Sequence, residues 1–198
     1  MKKVMLGLML ILGLSATQVN AQSVTTGIKA EANLSNFILS DMPLAESTLG
    51  FGASVGGFVK FDIGNNFAIQ PELLFHFQSS KMEQASIERN YEYWGVEIPV
   101  YAMGQWKNSS NGRFYAGVGP YVGLGFDARF DKPEHKLYKD DAMQPLDFGF
   151  GLQAGYEFSN GVQINAGYKI GVVDALDKGK DVSTMLPQRI SLGVGFRF

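Results

Sequence analysis

Strict alternation marks the last ten residues of the chain, RISLGVGFRF. Every second position is apolar, from Ile190 to Phe198, and the positions between hold arginine, serine or glycine. An α-helix repeats every ~3.6 residues, so it does not produce a period of two over this length. The pattern predicts a β-strand with one apolar face and one polar face.

The same alternation recurs in eight segments of the sequence. They span residues 26–34, 51–61, 67–77, 93–106, 113–126, 147–158, 162–172 and 189–198. Eight runs with a period of two predict an all-β antiparallel protein. The connections between the segments alternate between long and short, beginning with a long one. Short turns at one end and long loops at the other are typical of an up-and-down barrel.

Alternation alone does not say which face points inward, because a soluble ligand-carrying barrel also alternates. Aromatic residues decide in favour of an outward apolar face. They stand ten residues apart at both ends of three apolar faces, as Phe51 and Phe61, Phe67 and Phe77, and Phe148 and Phe158. Ten residues of a strand tilted by ~40° rise about 25 Å, which is the height of the lipid-facing band between two aromatic girdles.

The polar face is rich in glycine and carries charges of both signs, which suits the crowded lumen of a narrow barrel. The charged residues predicted to line this lumen are Lys29, Lys60, Lys169, Arg189, Arg197, Glu31, Glu72, Glu97, Asp147 and Glu157. We expect them to pair, because an unpaired buried charge is costly. The predicted fold is therefore an all-β, eight-stranded antiparallel up-and-down transmembrane β-barrel. A secreted lipocalin-like barrel is the alternative.

The N-terminal residues are typical of a secretory signal peptide. The basic start MKK precedes the apolar run VMLGLMLILGL, and small residues follow at Val19 and Ala21. We expect cleavage after Ala21, which gives a signal peptide at 1–21 and a barrel domain at 22–198; a retained anchor helix is the alternative. The sequence has no cysteine and no basic stripe, so we predict neither disulfides nor a nucleic-acid partner.

The sequence has two histidines, and the first suggests a catalytic hypothesis. His76 falls on the predicted lumen face near Glu72, with Ser79 and Ser80 close by in sequence. One hypothesis is therefore a lipid hydrolase with a serine nucleophile and His76 as its base. No spacing motif supports it, and a lipid substrate does not reach a side chain that points into the lumen. We favour a hydrogen-bonding lumen histidine.

The second histidine suggests a metal site. His135 lies in the third long connection with Asp131, Glu134, Asp140 and Asp141, and carboxylates suit divalent cations. The spacing matches neither an EF-hand nor a His-x-His motif, so we favour a solvated polar loop. We predict no catalytic residue, no cofactor and no metal ligand in this chain.

The chain also resembles the outer-membrane β-barrel domain family of the Bacteroidetes, the group that includes PorT-like proteins. The matching stretches are GIKAEANLSNF, AIQPELLFHFQSSK, YWGVEIPVYAM, FYAGVGPYVGLGF, DFGFGLQAGYEFSNG and RISLGVGFRF. The resemblance extends over the mature chain and implies an eight-stranded barrel in the cell outer membrane. PorT-like members are linked to protein secretion, but no motif in this chain singles out that subgroup.

We therefore expect an outer-membrane protein of structural or interaction type, in contact with outer-membrane lipid and serving an envelope or secretion complex through its extracellular loops. The third long loop mixes apolar residues with its charges, which suits an interaction surface: Phe130, Leu137, Tyr138 and Met143. A lipid-modifying enzyme and a small-solute channel remain the alternatives. The terminal Phe198 resembles the signal read by the outer-membrane insertion machinery, which is a second expected partner.

Overall fold

A computed structural model describes residues 23–40, 45–48, 50–84, 87–108, 111–131, 134–136, 145–172 and 184–198. The predicted signal peptide lies outside these ranges. The strands within them are β1 (Ser23–Ser40), β2 (Ala45–Thr48), β3 (Gly50–Ile63), β4 (Phe67–Gln84), β5 (Ile87–Lys107), β6 (Arg113–Asp131), β7 (Glu134–Lys136), β8 (Leu146–Glu157), β9 (Val162–Gly171) and β10 (Thr184–Arg197). None of the described residues forms a helix long and apolar enough to cross a membrane.

Eight of these strands form a closed antiparallel barrel, in the order β1, β3, β4, β5, β6, β8, β9 and β10. β10 then pairs with β1 from Gly27↔Arg197 to Ser40↔Thr184, which joins the last strand to the first. Closure leaves the barrel wall without an unpaired edge, as a lipid environment requires. The predicted eight-stranded fold is confirmed.

The two faces of the wall follow the predicted alternation. In β3, Phe51 and Val55 are exposed on the outside, whereas Ser54 and Lys60 are buried in the lumen. The exposed aromatic residues are Phe51, Phe67, Phe75, Trp94, Trp106, Phe114, Phe126, Phe150, Phe158, Phe196 and Phe198. A continuous apolar outer surface is unusual for a water-soluble protein but is the normal outer surface of a membrane barrel.

Large side chains fill the lumen where glycines leave room for them. Phe58 packs over Gly27, where an added Cβ would lie 2.2 Å from the Phe58 ring. Tyr115 occupies the space beside Gly155, where a Cβ would lie 2.5 Å from the tyrosine hydroxyl. Tyr101 is also buried, at 1% exposure. The lumen is thus a packed interior, as expected for a barrel of eight strands.

All four predicted long connections contain more strand than the sequence indicated, and the second and third show it most clearly. The connection at 78–90 is mostly a hairpin, because β4 runs to Gln84 and β5 starts at Ile87. In the connection at 127–145, β6 continues to Asp131 and pairs with the short β7. Beyond the lipid band both faces of a strand meet water, so the backbone stays paired while the apolar alternation disappears.

Candidate functional site: the charged lumen

The polar side chains of the lumen gather into three clusters along the barrel. We call them the loop-side cluster, the central cluster and the turn-side cluster, after the long loops at one end and the short turns at the other. Each cluster consists of at least one carboxylate and one or more cations, contributed by different strands. The clusters test the prediction that the lumen charges pair with one another.

The loop-side cluster consists of Glu97, Lys169 and Arg189. One Glu97 carboxylate oxygen accepts a hydrogen bond from Lys169 Nζ, and the other accepts one from Arg189 Nη2. Glu97 is 1% exposed. Its strand β5 and the strand β10 of Arg189 lie on opposite walls, with three strands between them in either direction. The Glu97–Arg189 pair therefore crosses the lumen.

The central cluster forms around Lys29 of β1. Its Nζ lies 2.9 Å from Glu31 Oε1 and 3.0 Å from Glu72 Oε2. Gln70 donates to Glu72 Oε1 at 2.8 Å, and Gln153 donates to the same oxygen at 3.2 Å. One cation is thus shared by two carboxylates, and two amides supply further hydrogen bonds to Glu72.

The turn-side cluster has the opposite charge ratio, with three cations around the single carboxylate of Glu157. Lys60 Nζ lies 3.4 Å from Oε2, while Arg113 Nε and Arg197 Nε lie 3.0 Å and 2.8 Å from Oε1. Gln163 donates to Oε2 at 2.8 Å. Lys60 of β3 and Glu157 of β8 again stand on opposite walls. This pair ties the barrel together near the short turns.

These contacts bring together nine of the ten charged residues predicted for the lumen. The tenth, Asp147, accepts a hydrogen bond from the Tyr121 hydroxyl at 3.0 Å instead. Sequence reasoning missed Arg113, which opens β6 and points inward with the same parity as Tyr115. The sequence did contain a signal for it, because Arg113 lies two positions from Tyr115 and therefore on the same, lumen-facing side of the alternating strand. The pairing expectation therefore holds for nine of the ten predicted lumen charges and not for Asp147, and the clusters cross-link the barrel interior.

The side chains that the structure describes do not assemble the hypothesised hydrolase site. His76 is buried in the lumen, its ring stacks on Tyr93 at 4.9 Å, and its Nδ1 has no hydrogen-bond partner. Ser79 differs from His76 by three positions along β4, so the two side chains project from opposite faces of the wall. The side chain of Ser80 lies outside the described residues. His76 Nδ1 therefore lacks the acidic residue that orients the base of a catalytic triad.

The structure describes only part of the hypothesised metal site. The backbones of Asp131, Glu134 and His135 belong to β6 and β7, whereas their side chains, together with Asp140 and Asp141, lie outside the described residues. Among the side chains that the structure does describe, no group of three or more His, Cys, Asp or Glu residues is placed to hold a metal ion.

Comparison with known proteins identifies barrels of the same kind. The chain is similar in structure to Neisserial surface protein A (NspA), with a TM-score of 0.54, 14% sequence identity and coverage of 89% of this chain and 100% of that one. It is also similar to the outer membrane protein OprG from Pseudomonas aeruginosa, with a TM-score of 0.55, 11% identity and coverage of 90% and 97%. These likenesses show the shared fold. No curated protein matches the sequence.

A comparison with protein families matches residues 9–177 to the outer membrane protein beta-barrel domain. That range covers most of the chain and includes seven of the eight barrel strands. The match agrees with the closed sheet and with its apolar outer surface. The chain therefore belongs to the outer membrane protein beta-barrel domain family, and its location is the outer membrane.

Proposed function

We propose that this barrel is a structural or interaction protein of the outer membrane, which serves an envelope or secretion complex through its extracellular loops. The observation that carries the proposal is the filled lumen. Ion pairs from opposite walls cross it at the loop-side and turn-side clusters, and aromatic side chains pack between them. A lumen used in this way supports a rigid scaffold better than it supports a water-filled pore.

The loop end of the barrel supports the interaction part of the proposal. The β4–β5 hairpin extends beyond the apolar band, and β2 and β7 add to the same sheet through β4 and β6. Ordered backbone that projects beyond the membrane offers a surface to another envelope protein. We also propose that the chain belongs to the PorT-like subgroup, whose members are linked to protein secretion.

Planar-bilayer recording of the refolded protein separates a scaffold from a small-solute channel. We expect no steady unitary current from the wild-type barrel. Lys60→Gln removes a lumen cation, and Lys107→Gln removes an exposed lysine as a matched control. Steady unitary currents whose size changes in Lys60→Gln but not in Lys107→Gln would contradict the scaffold proposal.

The enzyme alternative has its own test. We expect the masses of phospholipid and lipid A to stay unchanged after incubation with the refolded barrel. The arrangement of His76 supports this expectation, because its Nδ1 has no partner and Ser79 projects from the other face of β4. A loss of acyl chains that His76→Ala abolishes would overturn it.

A photo-crosslinking residue in the third long loop tests the interaction role in cells. We expect a protein adduct from a crosslinker at Tyr138, and none from a crosslinker at the exposed Asn160 in a short turn at the opposite end. Equal adducts at both positions, or none at Tyr138, would count against an interaction through this loop.

The insertion machinery remains a proposed partner through Phe198. Phe198 is 69% exposed, and its backbone N–H donates to the Thr26 carbonyl at 2.9 Å. The terminal aromatic is thus held on the last strand while its side chain stays accessible. This arrangement supports its proposed role as a recognition signal.

A further inference from the structure

A concavity of about 850 Å³ lies on the barrel wall. The outward-facing alanines Ala30 and Ala32 of β1 and Ala53 of β3 form its floor, and Ala32 pairs directly with Ala53. Small side chains lower the surface here, while the flanking positions carry large ones. The volume lies within the roughly 300–1,000 Å³ that small-molecule sites occupy. We call this concavity the wall groove.

Large apolar side chains raise both sides of the wall groove. Phe75, Phe77 and Trp94 stand on the β4–β5 side, and Leu192 and Val194 stand on the β10 side. The Phe77 and Trp94 rings pack against each other with their centroids 4.7 Å apart. The β5–β6 register shifts between Trp94 and Gly95 at this edge, which leaves Phe126 of β6 without a directly opposite residue, and such irregularities commonly redirect the side chains beside them.

The position of the wall groove limits what fills it. Its exposed surface is almost wholly apolar, because the polar residues of its lining, Glu31, Ser54 and His76, are buried toward the lumen. It also lies on the lipid-facing surface of an outer-membrane barrel. Water and polar ligands find few hydrogen-bonding partners there. A second copy of the barrel is convex, so it meets the raised Trp94 and Leu192 before it reaches Ala32. If nothing filled the groove, the alanines of its floor would lose their dispersion contacts. A flexible hydrocarbon chain is narrow enough to reach the floor and supply those contacts.

We propose that the wall groove is a binding site for one acyl chain of a membrane phospholipid. The groove binds this chain more tightly than the rest of the outer wall binds the surrounding lipid or detergent. The proposal is independent of the proposed scaffold role, because it concerns the outer wall and not the lumen or the loops. The retained chain packs between the Phe75–Trp94 side and the Leu192–Val194 side.

Two tryptophans, the only ones in the sequence, make the proposal measurable. Trp94 lines the wall groove and is 46% exposed, whereas Trp106 lies outside its lining and is 54% exposed. Their similar exposure gives similar contact with ordinary surrounding lipid. Trp106→Phe therefore leaves a reporter in the groove, and Trp94→Phe leaves a reporter of the general outer surface.

The experiment titrates dibromostearoyl phosphatidylcholine into detergent micelles that contain each refolded variant, because bromine quenches an indole at near contact. At a retained site, Trp94 quenching saturates at low brominated-lipid fraction, while Trp106 quenching rises in proportion to it. We expect half of the full Trp94 quenching at a fraction at least about tenfold below the Trp106 value, equivalent to ~1.4 kcal/mol.

Filling the groove supplies the matched control. Ala53→Leu should convert the saturating Trp94 quenching into quenching that rises in proportion to the brominated lipid. Ala30→Leu should have the same effect and replaces Ala53→Leu if that variant refolds poorly. Ala154→Leu adds the same bulk at an outward position away from the lining and should leave the response unchanged. A proportional Trp94 response in the unfilled barrel would overturn the proposal. So would a response that Ala154→Leu and Ala53→Leu alter equally.

A second copy in the groove gives a different and recognisable result. Trp94 would then be shielded at high protein-to-micelle ratio, and the complex would double its protein mass in light scattering. That outcome would overturn the acyl-chain proposal in favour of a dimer contact, whereas protein mass that stays monomeric together with saturating quenching would support the acyl chain.

Discussion

Removing the carboxylate of Glu97 is the sharpest test of the charged lumen. Glu97 is 1% exposed and accepts hydrogen bonds from both Lys169 and Arg189. Glu97→Gln keeps the length and shape of the side chain but leaves two cations in the loop-side cluster without their shared anion. The change therefore isolates charge pairing from packing.

The expected cost follows from the burial of the cluster. Breaking a buried ion pair by removing one partner destabilises a protein by about 3–5 kcal/mol, because the remaining charge stays desolvated. This corresponds to a shift of roughly 100- to 4,000-fold in the folding equilibrium. Neutralising all three residues, as Glu97→Gln with Lys169→Gln and Arg189→Gln, should cost less than Glu97→Gln alone, because no uncompensated charge remains.

Urea unfolding of the barrel in phospholipid vesicles, followed by tryptophan fluorescence, measures these differences. Lys107→Gln is the control, since this exposed lysine should change the free energy of unfolding by no more than about 0.5 kcal/mol. If Glu97→Gln costs less than about 1 kcal/mol, or if the triple variant is the less stable of the two, then the loop-side cluster does not act as a buried charge network.

Three further predictions concern the packing and the ends of the barrel. Gly27→Ala places a Cβ 2.2 Å from the Phe58 ring and should lower the free energy of unfolding by about 1–3 kcal/mol in the same urea assay. Gly123→Ala, whose new Cβ would have its nearest contact at 3.4 Å, should be nearly neutral. Equal losses in the two variants would contradict a packed lumen. Leu152→Arg on the exposed outer face should cost about 2–4 kcal/mol more in vesicles than Leu152→Ala, and an absent penalty would mean that this face is not in hydrocarbon. Deleting Phe198 should reduce the amount of assembled barrel in cells, measured by heat-dependent gel mobility, more than it reduces stability in vesicles; equal losses would argue against the signal role.

The wall of the barrel was predictable because each barrel strand has two unlike environments. One face of each strand meets lipid and the other meets the lumen, so apolar and polar residues must alternate along the strand, as they do from Ile190 to Phe198. The same logic explains where prediction stopped. The end of β4, up to Gln84, and the start of β5, from Ile87, lie in a stretch without alternating apolar residues, so the sequence did not indicate their strand structure.

The partners within the lumen were not predictable from parity. Lys60 meets Glu157 across the barrel, 97 residues away in sequence, and Glu97 meets Lys169 of β9 as well as Arg189 of the opposite wall. Which residues share a level depends on the strand tilt and the stagger of the closed sheet. Alternation fixes the direction of each side chain but contains no information about that stagger. The sequence therefore predicted a lumen of paired charges without identifying the pairs.

The cross-barrel pairs also couple ionic pairing to closure of the wall. Arg189 lies on β10 and its carboxylate partner Glu97 on β5, so the contact requires that the strands between them are already in register. Lys60 and Glu157 impose the same condition at the turn end. Until the sheet closes, these charges face a medium in which an isolated ion is costly. Closure of the β1–β10 seam and ion pairing in the lumen accordingly stabilise each other, since an open sheet in the bilayer has both unpaired backbone and unpaired charge.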